Sequence, residues 1–394
     1  MKIVFISHLA HSQGGAQGVL VDLIKGLKQY YPEYQIYIIF PKKGDLIDIC
    51  SPYINGYKII KQPWWIIPGK KIKCHTAIGR FFRIVKYAIK TLQYLRKIQP
   101  DFVITNTLAS PTAALAAYWG KFKHIWFIHE IPTLSTDCTF LYREKYICKY
   151  IENSSIKILS VSEAISTYYS RYLTDKTKIE RIHYAIEIPS ITSTPNHIYT
   201  LIMVGSFNEN KGQKEAVYAS NIVKNKYQIP FQLLLVGANK DKYTHEVKEI
   251  IKQEGLTQQI KVIDFTSSII DYYQQADVLI TCSASEGLPR VIIEAQKLGI
   301  PVIATSIQPN KELIESGYNG LLYQRGSYSE LAQHIIELSD KQKRKKMSEY
   351  AVNRIKDLYT LKSATTRLYD TEAKIICIVS KKGAQCIECH HKDI

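Results

Sequence analysis

The fold class follows most directly from the stretch VLITCSASEGLPRVIIEA, residues 278–295. Its first four residues form the short, mainly apolar run of a buried strand, and the apolar segment that follows Arg290 begins a helix. Gly287 and Pro289 make the connection a tight loop. Glu286 is therefore predicted just beyond the end of a strand, facing a cleft, and Glu294 about two turns along the next helix.

The same strand–loop–helix unit recurs along the whole chain. Predicted strands are Lys2–Ser7, Ile36–Phe40, Phe102–Thr105, His124–Ile128 and Lys157–Val161, then Thr200–Val204, Phe231–Val236, Ile260–Ile263, Val278–Thr281 and Val302–Ala304. Helix-length segments separate them, including Leu20–Tyr30, Thr112–Trp119, Glu163–Leu173, Gln213–Val223, His245–Glu254, Ile269–Gln275 and Val291–Leu298. Near-continuously apolar strands are typical of a parallel sheet with helices on both faces. The sequence thus predicts an α/β, doubly wound fold.

A break in this pattern between Ile186 and Tyr199, rich in Pro, Ser and Thr, predicts a linker between two domains. Residues 1–185 would form the N-terminal domain. Residues 186–376 would form the C-terminal domain together with terminal helices that follow Leu331. Residues 377–394 are predicted to be a loosely ordered tail. Because ligands of such domains bind at the carboxyl ends of the strands, we expect the site in the cleft between the domains.

The charge of the chain indicates an anionic partner. The net charge is +17, and residues 1–185 hold 26 Lys and Arg against 12 Asp and Glu. Eleven Lys or Arg and no acid lie between Asp48 and Asp101. A phospholipid, a nucleic acid or an acidic substrate would fit, as would an ordinary solvated basic surface. No recognised nucleic-acid-binding motif accompanies the charge, so we expect no nucleic-acid partner.

The remaining composition favours an intracellular enzyme. The first residues lack the pattern of a signal peptide, and no apolar stretch reaches the roughly 18 residues needed to span a bilayer. Eight scattered cysteines are interpreted as reduced thiols. The tail sequence Cys386-Ile387-Glu388-Cys389-His390-His391 contains half of a possible zinc site, but an unstructured tail is the favoured interpretation.

Two glycine-containing loops follow predicted strands. Gly14-Gly15 precedes a helix, where backbone N–H groups and the helix dipole favour a phosphate. Gly205 and Ser206 open a similar loop that leads to Lys211, a side chain suited to neutralise a diphosphate. Each feature alone is equally consistent with an ordinary turn or a solvated lysine.

Taken together, these motifs resemble glycosyltransferase family 4, the retaining group 1 transferases with the GT-B fold. The resemblance rests on Gly14-Gly15, His129-Glu130, Val161-Ser162, Val204-Gly205, Lys211-Gly212, Glu286 with Glu294, residues 299–305, Glu312 and residues 319–322. It implies two Rossmann-like domains facing a central cleft, and surface polysaccharide or lipopolysaccharide biosynthesis as the setting.

The resemblance also implies a role for individual residues. Lys211 corresponds to the phosphate-binding lysine, Glu294 to the ribose ligand and Glu286 to the glutamate that contacts the transferred sugar. His129 corresponds to the histidine beside the reacting carbon. Glu286, His129 and Lys211 are the predicted catalytic residues, and the predicted donor-binding residues are Gly14, Gly15, Gly205, Ser206, Lys211, Gly287, Leu288, Pro289, Arg290 and Glu294.

The chain departs from the family at Ser206, where an arginine is usual. Arg290 could reach the same space and replace that cation, which is a hypothesis. A catalytically weak or inactive sugar-binding relative is therefore the main alternative, and a GT-B epimerase or phosphorylase is a further one.

The family implies a reaction without a cofactor, in which the substrate is a UDP- or GDP-linked sugar. No Asp-x-Asp sequence follows a predicted strand, so we expect no catalytic metal. Lys211 and loop N–H groups would stabilise the leaving diphosphate.

The resemblance implies an oligosaccharide or a lipid-linked saccharide as the acceptor. Residues 80–97 are predicted to form an amphipathic helix, and the aromatic and basic residues before it favour binding at an anionic membrane surface. The residues predicted at that surface are Trp64, Trp65, Lys70, Lys71, Arg80, Arg83, Lys86 and Lys90. Packing of the apolar stripe on the domain core is the alternative. The enzyme is expected to be cytoplasmic and peripheral on the inner face of the cell membrane.

Overall fold

The computed structural model describes residues 1–12, 14–68, 74–132, 138–189, 198–266 and 268–381, without the side chains of residues 68, 74–76 and 372–381. These residues form two large parallel sheets and one small antiparallel strand pair. The predicted α/β, doubly wound architecture is therefore confirmed.

The first sheet has seven parallel strands in the order β3-β2-β1-β5-β6-β8-β9. Their bounds are β1 (Lys2–Ser7), β2 (Gln35–Phe40), β3 (Gly56–Ile59), β5 (Phe102–Asn106), β6 (His124–Ile128), β8 (Lys157–Ser160) and β9 (Ile179–Arg181), and a separate antiparallel pair joins β4 (Ile66–Pro68) to β7 (Cys138–Phe140). The strand order reverses between β1 and β5, which pair directly. A doubly wound sheet binds its ligand at this switch point, outside the carboxyl ends of the strands.

Six helices accompany the first sheet: α1 (Gly15–Tyr30), α2 (Asp45–Cys50), α3 (Cys74–Ile98), α4 (Thr112–Gly120), α5 (Glu144–Ser154) and α6 (Glu163–Ser170). Helix α1 begins five residues earlier than the sequence pattern predicts. Its N-cap is Gly14, with a φ of 137° that only glycine adopts easily. This early start places the N-terminus of α1 directly at the end of β1.

The second sheet has six parallel strands in the order β12-β11-β10-β13-β14-β15, with its switch point between β10 and β13. The bounds are β10 (Tyr199–Val204), β11 (Phe231–Ala238), β12 (Ile260–Asp264), β13 (Val278–Thr281), β14 (Val302–Thr305) and β15 (Gly320–Tyr323). The helices are α7 (Gln213–Ile222), α8 (Lys242–Gln253), α9 (Ile270–Tyr273), α10 (Arg290–Lys297), α11 (Gln308–Leu313), α12 (Tyr328–Glu337), α13 (Lys341–Ile355) and α14 (Leu361–Lys381).

The last helix, α14, packs against α1 of the first domain. The Tyr31 and Tyr369 rings stack with centroids 4.7 Å apart, and Thr365 fits against Gly26, where a side chain would collide with it. Helix α14 extends to Lys381, past the predicted start of the tail at Cys377, and no helix-breaking residue occurs before Gly383. Residues 382–394, with the Cys and His cluster, lie outside the described residues, as do residues 190–197 of the predicted linker. The predicted domain limits stay predictions.

Polar contacts join the two sheets beside the cleft. The carboxylate of Glu312 accepts hydrogen bonds from the backbone N–H groups of Glu163 (2.9 Å) and Ala164 (2.8 Å), at the N-terminus of α6. It also pairs with Arg181 at 3.3 Å. On the other side, the Tyr184 hydroxyl donates to the carbonyl of Leu288 at 2.6 Å. These contacts fix the carboxyl ends of both sheets opposite each other.

Candidate active site

A cavity of about 300 Å³ lies where the carboxyl ends of the two sheets face each other. Residues from both halves of the chain line it, among them Gly15, His129, Lys211, Glu286, Gly287 and Arg290. Leu288 lines it as well, whereas Pro289 is the N-cap of α10 beside it. The structure therefore brings together most of the residues that the sequence predicted as one site.

The glycine loop after β1 approaches Arg290 closely. A Cβ atom on Gly18 would lie 3.1 Å from the Arg290 guanidinium carbon, and one on Gly15 would lie 3.8 Å from its Cδ. A side chain at Gly18 would crowd the guanidinium, whereas the contact at Gly15 would be an ordinary van der Waals contact. The glycines thus let the N-terminus of α1, with its unpaired N–H groups, face a cation across the cavity.

A second close approach involves Gly287, in the loop before α10. A Cβ atom there would lie 1.8 Å from the carbonyl oxygen of His129. Because backbone atoms cannot move aside cheaply, only glycine fits at this contact between the two domains. The contact places His129 next to the loop that carries Glu286.

Lys211 forms an ion pair with Glu286 inside the cavity. The loop that carries Lys211 begins at Gly205, with φ 152°, and ends at Gly212, with φ 73°, which is the N-cap of α7. The Asn208 side chain accepts the Lys211 backbone N–H at 3.0 Å and closes the turn. Two residues separated by 75 positions meet because β10 and β13 are adjacent strands.

Ser206 lies in the same loop without contributing a charge. Its hydroxyl accepts a hydrogen bond from the Asn208 amide at 3.2 Å, so it supports the turn. The cations that line the cavity in the described part of the chain are Lys211 and Arg290. Whether Arg290 takes the place of the missing arginine stays a hypothesis, but it does occupy the same cavity as Lys211.

Arg290 is held by an acid that sequence analysis missed. Its two terminal nitrogens both donate to one oxygen of Asp22 at 3.1 Å, and its Nε lies 3.7 Å from Glu294. The guanidinium also lies over the Tyr184 ring, 5.8 Å from the centroid. Burial raises the pKa of the Asp22 carboxyl from 3.8 to about 6, and Arg290 opposes this shift. This pair connects α1 of the first domain to α10 of the second.

Glu294 lies about one turn into α10, which begins at Arg290, so the predicted position about two turns along the helix is wrong. A second residue that sequence analysis missed orients it. The buried hydroxyl of Tyr273 donates to its Oε2 at 3.0 Å. The two contacts with Arg290 and Tyr273 limit the rotamers of Glu294, so its carboxylate is presented in a defined orientation.

His129 follows β6 directly and is held by Asn106, the last residue of β5. The Asn106 amide donates to the carbonyl of Ala16 at 3.0 Å, so its oxygen faces His129 Nε2 at 2.7 Å. This arrangement requires the proton on Nε2 and leaves Nδ1 as an acceptor. Burial, with smaller contributions from His8 and Arg290, lowers the pKa of His129 to about 3. His129 is therefore a neutral hydrogen-bonding group at pH 7.

The residues predicted at a membrane surface separate into three groups. Trp65 is wrongly predicted: it is 4% exposed, its indole N–H donates to the carbonyl of Leu108, and its ring stacks on Trp126. Lys70 and Lys71 lie outside the described residues. The side chains of Arg83, Lys86 and Lys90 are exposed on α3, while Arg80 donates to the carbonyl of Trp64 at 2.9 Å.

The predicted apolar stripe of α3 is divided between core and solvent. Ile84, Ala88 and Leu95 are buried, but Phe81 and Ile89 are about half exposed, at 52% and 47%. Of the described helices, none is long and apolar enough to cross a bilayer. Among the described residues, no group of three or more His, Cys, Asp or Glu could hold a metal ion.

Comparison with known proteins finds a family model that matches the second half of the chain and relatives that match most of it. Residues 185–354 match the family model of the group 1 glycosyl transferases. An uncharacterised glycosyltransferase of Haemophilus influenzae is 24% identical over 368 residues, which are 90% of this chain and 97% of the relative. A Campylobacter jejuni transferase is 25% identical over 360 residues, 91% of this chain and 94% of the relative. Its name describes the addition of α-1,4-linked N-acetylgalactosamine to an undecaprenyl-diphosphate-linked saccharide.

Among solved structures, Anabaena HepE in complex with UDP superposes with a TM-score of 0.77 at 20% identity. The match covers 95% of this chain and all of HepE, which has also been solved with UDP-glucose. The fold is therefore the GT-B fold. The family model over residues 185–354 and the sequence relatives support the group 1 glycosyltransferase superfamily and glycosyltransferase activity.

Proposed function

We propose that the chain is a retaining glycosyltransferase of family 4 that moves a hexosyl group from a nucleotide-sugar to a lipid-linked saccharide, without a metal ion. The observation that carries the proposal is the convergence of Lys211, Arg290 and the N-terminus of α1 on one cavity. Two cations and a set of free backbone N–H groups form a site for a diphosphate. The acceptor class and a role in surface polysaccharide or lipopolysaccharide assembly are proposed from the relatives.

For the donor, we favour a UDP-sugar over a GDP-sugar. HepE, with the same fold, binds UDP and UDP-glucose. In this chain, Glu294 has the chemistry to accept hydrogen bonds from both ribose hydroxyls, and Tyr273 orients it. Gly15 lines the cavity without a side chain, and Gly287 allows the two domains to approach each other beside it.

In the proposed reaction, the bond between the anomeric carbon and the diphosphate oxygen breaks while the acceptor oxygen attacks from the same face. The acceptor proton passes to the departing diphosphate, so atoms and charge balance. Lys211 and Arg290 stabilise the negative charge that develops on the leaving group. This requires Lys211 to exchange Glu286 for a phosphate oxygen, which frees Glu286 to contact the transferred sugar. Neutral His129 would hydrogen-bond a sugar hydroxyl.

The acceptor would reach the cavity from the inner face of the cell membrane. The Campylobacter relative uses an undecaprenyl-linked acceptor, and Arg83, Lys86 and Lys90 expose positive charge on α3. Peripheral attachment to anionic lipid follows as a proposal from this charge.

Donor turnover tests the proposal. Purified protein is screened by thermal shift against nucleotides and nucleotide-sugars, and the stabilising donor is then used in a transfer assay with excess chelator. We expect turnover in chelator and an α-linked product from an α-linked donor. Lys211→Ala should lower kcat/KM about a hundredfold, while Lys242→Ala, whose side chain is 91% exposed, should not change it. Strict dependence on Mg²⁺ or Mn²⁺, or an inverted product, would contradict the mechanism.

The second candidate is a catalytically weak or inactive relative that binds a nucleotide-sugar. Ser206 in place of the usual arginine favours it. The Arg290→Ala variant separates the two: loss of both UDP affinity and turnover supports Arg290 as the replacement cation. Tight UDP binding by the unaltered protein without turnover on any tested acceptor supports the inactive relative.

A further inference from the structure

An apolar groove of about 290 Å³ lies on the first domain, apart from the donor cavity. Helices α3, α4 and α5 form its walls, and Trp65 forms part of its base. Its principal lining side chains are Trp65, Phe81, Ile84, Leu115, Tyr146 and Tyr150. The Tyr150 hydroxyl is already used, because it donates to the carbonyl of Pro111 at 3.3 Å. Within the described part of the chain, no side chain fills this groove.

The rim of the groove exposes aromatic rings to solvent. Phe81 on α3 is 52% exposed and Tyr146 on α5 is 64% exposed. Such side chains lose favourable apolar contact when they face water, so two of them on opposite walls indicate a ligand with apolar surface. Below them the base is rigid, since the buried Trp65 ring is stacked on Trp126 with centroids 6.1 Å apart.

Positive charge borders both walls. On α3, Arg80 lies one turn before Ile84, so its side chain is on the groove side of that helix. On α5, the exposed Lys149 lies three residues after Tyr146. An apolar slot between cationic borders is complementary to an amphiphile with a hydrocarbon chain and an anionic head group.

The groove is connected to the donor cavity by adjacent residues. Arg80 donates to the carbonyl of Trp64 at 2.9 Å, and the Trp64 ring lies 5.5 Å from that of His8. His8 follows β1 and contacts the Gln17 amide at 3.4 Å, in the helix that begins at Gly15. A head group beside Arg80 would therefore lie between the groove and the cavity.

The geometry points to this groove as the binding site for the hydrocarbon chain of a prenyl-diphosphate-linked acceptor, with its diphosphate beside Arg80. This inference rests on the proposed function for the identity of the acceptor. It extends that function by assigning a lipid site to named residues of α3, α4 and α5. The chain enters the groove while the saccharide extends past Trp64 toward the donor cavity.

The test compares three soluble probes: farnesyl diphosphate, inorganic diphosphate and UDP. Binding is measured by calorimetry and by quenching of tryptophan fluorescence. We expect farnesyl diphosphate to bind at least tenfold more tightly than inorganic diphosphate and to bind in the presence of saturating UDP. Equal affinity for both diphosphates, or displacement of farnesyl diphosphate by UDP, would overturn the inference.

Two variants locate the binding. The double variant Phe81→Ser with Tyr146→Ser changes exposed side chains, and Leu115→Trp fills the groove. Each should weaken farnesyl diphosphate binding about tenfold and leave UDP affinity unchanged. The matched control Tyr118→Ser alters a ring that is 65% exposed elsewhere on α4 and should have no effect.

Other occupants give different results. Binding to anionic phospholipid vesicles without affinity for farnesyl diphosphate would mean that the surface adheres to membrane and holds no single chain, which overturns the inference. Unchanged farnesyl diphosphate affinity in both groove variants would overturn it as well. Failure of UDP to bind would contradict the proposed transferase but not the lipid site, so the two failures are distinguishable.

Discussion

The Asp22→Asn variant tests the buried ion pair that joins the two domains at the cavity. Asp22 is 7% exposed, and both terminal nitrogens of Arg290 donate to it. Its pKa is raised from 3.8 to about 6, because burial disfavours the carboxylate more than Arg290 favours it. Asparagine keeps the shape and an acceptor oxygen but cannot titrate, so the variant isolates the effect of the charge.

The sign of the effect follows from proton binding. A carboxyl whose pKa is higher in the folded state holds its proton between pH 3.8 and about 6, where the unfolded chain has lost it. Its stabilising contribution is therefore full below the unfolded value and is lost as the pH rises through about 6. The difference between the two pKa values corresponds to about 3 kcal/mol, at about 1.4 kcal/mol for each pH unit.

Urea unfolding of the two proteins measures this directly, in half-unit steps from pH 4 to pH 7.5. We expect the free energy of unfolding of the Asp22→Asn variant, relative to the unaltered protein, to increase by about 2.5 kcal/mol across that range, because part of the change occurs below pH 4. The control Asp48→Asn, at an exposed position on α2, should give a constant difference. A difference in free energy of unfolding that is the same at every pH would show only the loss of the ion pair between Asp22 and Arg290. If the difference does not vary with pH, the inferred burial of a titrating carboxylate is wrong.

Three further substitutions test contacts around the cavity. Gly287→Ala should lower the free energy of unfolding by about 1–3 kcal/mol, because the added Cβ would collide with the carbonyl oxygen of His129. The control Gly79→Ala has open space around it and should not destabilise the protein. Urea unfolding measures both variants. Tyr273→Phe should weaken UDP binding about three- to tenfold in calorimetry, because Glu294 loses an orienting hydrogen bond, and an unchanged Kd would refute that role. Glu312→Gln should destabilise the folded chain by about 1–2 kcal/mol, since the carboxylate accepts two backbone N–H groups across the domains; an unaltered unfolding midpoint would contradict this.

The central strands could be predicted because they are apolar along their whole length. Of the four edge strands of the two parallel sheets, β12 was predicted and the other three were not: most residues of β3 are exposed, and β9 and β15 are only three and four residues long. Such short segments lack the burial pattern that identifies a strand. The pair of Lys211 and Glu286 was anticipated as two residues of one site, because both follow strands of a parallel sheet. That they form a direct ion pair depends on the adjacency of β10 and β13, which sequence spacing does not contain.

Aromatic residues were harder to place. Trp64 and Trp65 are neighbours in a basic segment, which favoured a membrane surface for both. The ring of Trp65 instead packs on Trp126 and closes the first domain below α3. A tryptophan side chain can be buried in a core as readily as at a membrane interface when its indole N–H has a hydrogen-bond acceptor. For Trp65 that acceptor is the carbonyl of Leu108, which is 43 residues away in the sequence. Whether Trp65 lies in the core or at the surface thus depends on contacts with Leu108 and Trp126, which are distant in the sequence.

Asp22 did carry a local signal. It occurs on a helix whose neighbouring residues Val19 and Leu23 are buried, and a charged residue on such a face requires a buried partner. The partner, Arg290, is 268 residues away and is reached only when α10 is placed against α1. Both cavity cations that the structure describes are thus neutralised by carboxylates, Lys211 by Glu286 and Arg290 by Asp22. A diphosphate must exchange for Glu286, whereas Arg290 can keep Asp22, since two N–H groups on one carboxylate oxygen leave the others for a phosphate. The two cations would therefore contribute differently. Lys211 would leave Glu286 when the donor binds, whereas Arg290 would stay paired with Asp22 and bind the diphosphate with its remaining N–H groups.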